Sequence, residues 1–389
     1  MGQPKHEKIC NEIRQAIASG KYKDEQRLPT EAQFVQQYET SRPTVARALR
    51  DLQHEGLIVR RAGSGTYVRK AETEHGHLFG LVIPGLGETE IFDPICREMA
   101  RCSQAGHHAL LWAASAADTY GDRCEQAWQS AQQCIRRKVA GVFFAPLELA
   151  PDSEKYNERI VEALDAANIP ILLLDRDLYR YPRRSAYDRI GINNRLAGYR
   201  GAEHLLNLGC KKIGFFYRPY SAETVASRLA GYREALSEYG VVPEDCWVVE
   251  GDPGDAELVK SVTKSSGVEA FICANDLTAA NLMRTLDLLG IRTPEDVRIV
   301  GIDDVRYASL LKVPLTTMHQ PCQHIGMAAV SALSERIANP GLPPRDILFH
   351  CQLVVRESCG AKLKSSKPRE GRHKAASSRP APATEGILT

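Results

Sequence analysis

Leu28-Pro29-Thr30-Glu31, then Ser41-Arg42-Pro43-Thr44-Val45-Ala46-Arg47-Ala48-Leu49, then Glu55-Gly56-Leu57-Ile58 and Gly63-Ser64-Gly65-Thr66 follow one another near the N-terminus. Thr30 and Gln33 form a capping box, in which each side chain satisfies a free backbone N–H at a helix start. Ser41, with Pro43 in the first turn, starts a second helix directly afterwards. Only about three residues separate the two helices, the tight turn of a helix-turn-helix. On the second helix Val45, Ala48, Leu49 and Leu52 recur at i, i+3, i+4, i+7 and predict one buried stripe. The opposite face carries Pro43, Arg47 and Arg50, with Thr44 to one side and Arg42 at the N-terminal tip. Cations, a hydroxyl and a helix start on one exposed face suit base edges and phosphates in a major groove. Gly56 stops the helix, and Leu57 to Arg61 and Thr66 to Arg69 alternate as two short strands around a glycine turn. That hairpin is a wing, with Arg60 and Arg61 placed to touch phosphate or minor groove.

A charged helix face alone is usually solvated surface, and Gly-Ser-Gly alone is usually a turn. The ordered set is far more specific. Residues 5–69 resemble the winged helix of the GntR regulators, most closely the branch whose recognition helix reads Thr-Val-x-Arg-Ala-Leu, here Thr44 to Leu49. The resemblance implies that Arg42, Thr44 and Arg47 face bases or nearby phosphates and that Gly65 faces the minor groove. Ala32 and Ala46 stand where members of that family carry basic residues, which bears on the operator sequence.

The 389 residues are enough for two or three domains. The formal net charge of +2 hides a polarised distribution. Residues 1–70 hold 13 Lys/Arg against 8 Asp/Glu, 71–360 hold 30 against 38, and 361–389 hold 7 against 2. A basic head on an acidic body points to one polyanion-binding end. The 11 cysteines are scattered and never spaced Cys-x-x-Cys, so they read as small buried residues rather than a disulfide framework or zinc site. No apolar core follows Met1, so no signal peptide is expected. No run approaches the roughly 18 apolar residues of a membrane helix. The expected compartment is the cytoplasm, with no membrane contact.

Residues 71–77 are polar and aperiodic, a linker between a domain at 1–70 and a body at 78–358. Across the body, short apolar runs alternate with amphipathic helices. The strands expected are Leu78–Ile83, Ala109–Ala113, Gly141–Ala145, Ile171–Leu174, Arg189–Ile192, Lys212–Tyr217, Cys246–Glu250, Ala270–Cys273 and Val297–Ile302, with helices such as Arg195–Leu208, Glu223–Tyr239 and Leu277–Leu289. This is an α/β pattern of parallel sheets covered on both faces, and nine strands suit two similar lobes. Residues 359–389, rich in Lys, Ser, Pro and Ala, have little to bury and are expected to be a disordered basic tail.

Ligands sit at the strand ends of open parallel sheets. Asp175 and Arg176 follow one strand, and Asn275 and Asp303 follow two others. Gln320 follows the extended run Leu315–Met318, and Arg228 lies in the helix after Lys212–Tyr217. The body resembles the effector domain of the LacI/GalR repressors and the periplasmic sugar-binding proteins of the ribose type. Ile169 to Arg176, Arg228-Leu229-Ala230-Gly231-Tyr232, Ala274-Asn275-Asp276, Val300 to Asp304 and Thr316 to Pro321 carry that likeness. It implies two doubly wound lobes joined by three crossings, one at about 77–189 plus 304–320 and the other at 190–303 plus 321–358. It also implies hydrogen bonds from the six polar residues to sugar hydroxyls, with Phe92 stacked on the sugar ring. Carboxylate, guanidinium and amide together supply the mixed donors and acceptors a neutral polyol needs. Thr89, Glu90 and Asp252-Pro253-Gly254 are further positions that could select the sugar.

No catalytic set is present. Gly85-Leu86-Gly87-Glu88-Thr89-Glu90 lacks the third glycine of a dinucleotide fingerprint, and there is no Walker lysine or Gly-x-Ser-x-Gly elbow. The histidines, including His107-His108, His319 and His324, lack metal-ligand spacing, and no cofactor is expected. The expected function is a transcription factor that binds a DNA operator as a homodimer and represses sugar-use genes until a monosaccharide releases it. This arrangement resembles that of the arabinose-responsive repressors. The alternatives are the same regulator answering to a nucleoside or purine, a transport-associated sugar-binding protein, and an enzyme.

Overall fold

Backbone contacts divide the chain into two units, Met1–Gly76 and His77–Thr389. The computed structural model describes residues 5–18, 21–23, 25–54, 56–61, 64–68, 76–83, 91–112, 120–265 and 267–362. Most of the expected linker, all but the first four residues of the expected tail, Arg69, Thr89 and Glu90 lie outside them.

In the first unit, helices α1 (Lys5–Ala18), α2 (Glu31–Gln37) and α3 (Arg42–His54) precede an antiparallel hairpin of β1 (Ile58–Arg61) and β2 (Gly65–Val68). At the start of α2, Gln33 N–H donates to Thr30 Oγ1 (3.3 Å) and Thr30 N–H donates to Gln33 Oε1 (2.8 Å), the capping box read from the sequence. The stop of α3 is equally local. Gly56 takes φ +74° and Leu57 N–H reaches back to Leu52 O at 3.0 Å, the left-handed ending that glycine permits. Val45, Ala48, Leu49 and Leu52 are each at most 1% exposed, against Phe34, Ile9, Ile13, Ile58 and Val68. Each large apolar side chain so buried contributes about 1.5–3 kcal/mol. Helix α1, for which the sequence reading named no element, supplies Ile9 and Ile13 one turn apart and closes this core.

The second unit contains two six-stranded sheets. One has the order β13-β7-β6-β5-β3-β4, from β3 (Leu78–Val82), β4 (Ala109–Trp112), β5 (Gly141–Phe144), β6 (Ile171–Leu174), β7 (Asp188–Ile192) and β13 (Asp346–Phe349), all parallel. The other has the order β14-β12-β11-β10-β8-β9, from β8 (Ile213–Tyr217), β9 (Val248–Glu250), β10 (Ala270–Cys273), β11 (Arg298–Asp303), β12 (Thr316–His319) and β14 (Gln352–Val354). Only β14 runs antiparallel, against β12. The inner strands β5, β6 and β10 are buried at every residue, as strands covered on both faces must be. Helices α4 (Phe92–Ala105) and α11 (Cys322–Ala338) share an apolar cluster on one face of the first sheet, and α5 (Tyr120–Arg136) and α6 (Ser153–Ala166) contribute to the cluster on the other. Helices α7 (Asn194–Asn207) and α8 (Glu223–Glu238) flank the second sheet on one face, and α9 (Ala256–Ser265) and α10 (Asp276–Leu288) on the other.

The expected strands all form, within a residue or two of the stated ends. The lobe membership of residues 304 to 349 is the reverse of the expectation, whereas β14 lies in the second lobe as expected. Strand β12 pairs with β11 in the second sheet, Val300 opposite Thr316, whereas α11 and β13 belong to the first. Periodicity reports that a segment is buried but not which sheet receives it. The chain therefore crosses between lobes near Asn193, Gln320 and His350, three times as expected. Burial also runs past 358: Cys359 is 0% exposed, and Ser358 Oγ donates to Ile299 O at 2.7 Å.

Candidate functional site

On the head, Arg42, Arg47 and Arg50 are exposed along α3, and Arg60 and Arg61 along β1. Their commitments differ. Glu31 of α2 pairs with Arg60 at 2.9 Å and with Arg42 at 3.7 Å, and so ties the start of α3 to the wing. Such exposed pairs are worth about 0–1 kcal/mol and yield readily to a phosphate. Arg61 lies over the Tyr67 ring at 4.8 Å. Arg47 and Arg50 have no ion pair among the described residues, which leaves both guanidinium forks free on the face opposite the buried stripe. Thr44 is half-buried and shares a 2.8 Å hydrogen bond with Ser41 Oγ, so its hydroxyl helps to start the helix. Gly65 has φ +127°, and a Cβ there would lie 2.8 Å from Arg27 Nε. Arg27, absent from the sequence reading, is exposed and bridges to Tyr67 of the wing. Its sequence neighbourhood, a polar stretch before Leu28-Pro29, carries no periodicity that would have marked it.

In the body, a cavity of about 50 Å³ lies between the lobes, lined by Glu148, Asp175 and Arg176 from the first and by Arg228, Asn275 and Asp303 from the second. Five of the seven expected effector residues meet there. Two close α7–α8 contacts set the position of Arg228. A Cβ at Gly198 would collide with Arg228 O, and one at Gly231 with Arg195 O, so only glycine allows the two helices to approach this far. Arg228 is 4% exposed, donates from Nε to Asn194 Oδ1 at 2.8 Å and from Nη1 to Ala274 O, and keeps Nη2 3.8 Å from Asp303. Asn275 accepts from Thr278 N–H at 2.8 Å as the cap of α10, so its amide N–H groups remain for a ligand. Asp175, with φ +68°, has a buried Oδ1 that lacks a hydrogen-bond partner among the described residues. An unmade bond of this kind costs about 1–3 kcal/mol unless a ligand completes it.

Phe92 and Gln320 are the two that the cavity does not receive. Phe92 is 1% exposed in the core beneath the first sheet's helices, with the Arg176 guanidinium 5.8 Å from its ring. The apolar face of α4, which also buries Ile95, Cys96 and Met99, turns the ring inward, so stacking on a sugar is not the role its placement gives it. Gln320, 1% exposed, instead donates from Nε2 to Asp303 Oδ1 at 2.7 Å and orients that carboxyl. Asp252-Pro253-Gly254 does not line this cavity.

Glu148 was missed: it lies in the loop beyond β5, not directly at the strand end as Asp175 does after β6. Its carboxylate pairs with Arg176 and accepts from Ala222 N–H, across the lobes, at 3.0 Å. Burial disfavours its charge, yet Arg176, Ala222 and Arg228 together hold its carboxyl below the usual range. Asp303 goes the other way. Burial, reinforced by Asp276 and Asp175 and opposed by Arg228 and Gln320, pushes its carboxyl up to about 8. A carboxyl protonated at neutral pH both donates and accepts. The cavity thus offers acceptors, donors and one group that is both.

Residues 5–68 match the family described as bacterial regulatory proteins, gntR family, and residues 202–359 match the periplasmic binding protein-like domain. The chain joins a gntR-family domain to a periplasmic binding protein-like domain. Over 369 residues it is 26% identical to the arabinose metabolism transcriptional repressor of Geobacillus stearothermophilus, covering 91% of this chain and 97% of that one. It is 28% identical over 284 residues to the transcriptional repressor PurR of Aliivibrio salmonicida, covering 70% of this chain and 80% of the relative. Among solved structures, the transcriptional regulator CelR–cellobiose complex superposes with a TM-score of 0.62 at 22% identity, over 82% of this chain and 91% of that one. The lac repressor dimer bound to operator and the anti-inducer ONPF gives 0.59 at 20% identity, over 74% and 95%. The curated relatives are transcriptional repressors, and the structural likenesses establish the two-lobed fold of the body. No described helix is long and apolar enough to cross a membrane.

Proposed function

We propose that this protein is a cytoplasmic, homodimeric repressor of sugar-use genes that leaves its operator when a neutral sugar binds between the lobes. The observation that carries the reading is the composition of the cavity wall, with Asp175 and Arg176 on one lobe and Arg228, Asn275 and Asp303 on the other. A ligand held by both walls has different affinity for open and closed lobes, and only such a difference can shift an equilibrium. The unpartnered Asp175 Oδ1 and the spare Arg228 Nη2 are matched by hydroxyls, which donate and accept. Arg42, Thr44, Arg47, Arg50, Arg60, Arg61 and Gly65 form the proposed DNA face. Two heads on a two-fold operator supply the discrimination that one recognition helix lacks.

The test is operator release against sugar concentration, with wild type beside Arg228→Ala and Asp175→Ala and folding checked by melting. Both variants should hold the operator normally, while their release midpoints rise roughly ten-fold or more, since each lost polar contact is worth about 1–3 kcal/mol. Unchanged midpoints in both folded variants would place the effector elsewhere. The second reading is the same regulator answering to a nucleoside or purine, beside relatives that are PurR repressors. A planar base needs ring faces, and among the described lining residues Tyr307 is the one aromatic.

A further inference from the structure

The cavity lined by Asp175, Arg228 and Asp303 is by itself too small for its proposed task. At about 50 Å³ it falls far short of the roughly 300 Å³ at the low end of small-molecule sites. A second cavity of about 280 Å³ lies beside it, between the loop after β5, the segment 176–183 and the start of α8. Glu148 and Arg176 line both, so their ion pair is the partition between the two. Taken together the two spaces reach the size of an ordinary ligand site.

The outer cavity has unmet polar capacity of its own. Ser153, the first residue of α6, is 8% exposed and lines it, and its Oγ is buried with no hydrogen-bond partner among the described residues. Asp152 at the cap of α6 makes no side-chain bond to the helix start. Arg183 lies over the Tyr179 ring at 4.1 Å, and Arg180 reaches Ser221 O only at 3.4 Å. Tyr220 is 56% exposed and offers a second ring.

Charge selects the ligand class. Glu148, Glu154, Asp177 and Glu223 line this cavity against Arg176, Arg180 and Arg183. Glu223 is held by Arg189 at 2.6 Å, and Asp177 accepts from Ser185 and Tyr179 N–H. A phosphate would face more carboxylates than guanidiniums. A polyol would find donors and acceptors interleaved with ring faces, as each desolvated hydroxyl requires.

We propose that the outer cavity is a second saccharide subsite, so that the effector is a neutral sugar of two units. One ring lies against Asp175, Arg228 and Asp303, and the next against Ser153, Arg183 and Tyr179, with the Glu148–Arg176 pair contacting both at the linkage. The proposal rests on the reading of the inner cavity as a sugar site and adds the length of the ligand.

Calorimetry on the full chain tests it, with xylose, arabinose, ribose, glucose and galactose, the disaccharides xylobiose, cellobiose, maltose and lactose, and the phosphates glucose 6-phosphate and ribose 5-phosphate. At least one disaccharide should bind roughly ten-fold tighter than its own monosaccharide. Ser153→Ala and Arg183→Ala should each shrink that ratio several-fold and leave monosaccharide binding within about two-fold. Ser153→Ala removes an unmade bond rather than a made one, so its melting temperature should not fall. Equal binding of single and paired sugars, or a ratio indifferent to both variants, overturns the second subsite and leaves the inner one standing. So does a sugar phosphate that outbinds its parent sugar through Arg183. Arg228→Ala should weaken single and paired sugars alike. If it weakens neither, or if no sugar binds, the inner reading falls and takes the outer one with it.

Discussion

Replacing Asp303 with Asn should remove a pH dependence of stability and leave the variant the more stable protein at neutral and alkaline pH. In the fold this side chain accepts from Gln320 Nε2 at 2.7 Å and lies 3.8 Å from Arg228 Nη2. Burial first, then Asp276 and Asp175, push its carboxyl from the usual 3.8 up to about 8. Between those values the folded chain keeps a proton that the unfolded chain has lost. Rising pH therefore favours unfolding: this contribution is complete below 3.8 and is gone once pH passes about 8. The slope is about 1.4 kcal/mol per pH unit, so from pH 5 to pH 7 the group should remove roughly 3 kcal/mol. Asn keeps the acceptor for Gln320 and the N–H donor that the protonated acid supplies, and it does not titrate. Urea unfolding of both proteins at half-unit steps from pH 5 to pH 9 reads the difference directly. Wild type should lose stability relative to Asp303→Asn across this window, and the variant should be the more stable at pH 9. Parallel curves would show that Asp303 is ionised in the fold and that Arg228 outweighs burial.

Arg47→Ala should cost about 1–3 kcal/mol of operator affinity and relax one base position, since its guanidinium is exposed on α3 and unpaired among the described residues; unchanged footprints would remove α3 from the groove. Phe92→Ala should lower stability by about 3–5 kcal/mol as a core truncation, measured by urea unfolding. A variant that instead unfolds like wild type and fails only to bind sugar would restore the stacking role.

The sequence by itself determined what is encoded within a few residues. The Thr30–Gln33 cap, the Gly56 stop and the stripe from Val45 to Leu52 are each local hydrogen bonds or a single helical period. The same holds for the strands, where apolar runs such as Ile171 to Leu174 announce a sheet covered on both faces. Asp175, Arg176, Asn275 and Asp303 were legible as cavity residues because strand ends converge wherever parallel sheets are built, and Arg228, inside α8, through the likeness carried by Arg228 to Tyr232. Only the tertiary structure decided the rest. It sent β12 to the second sheet and α11 to the first, because any apolar segment can satisfy either surface and chain crossings choose between them. It turned Phe92 into the core and used Gln320 to hold Asp303 rather than a ligand. It also joined Glu148 to Arg176 and to Ala222 across the lobes. Contacts between residues so far apart in the chain leave no spacing to read, since their energy depends on distances that exist only after both lobes have folded.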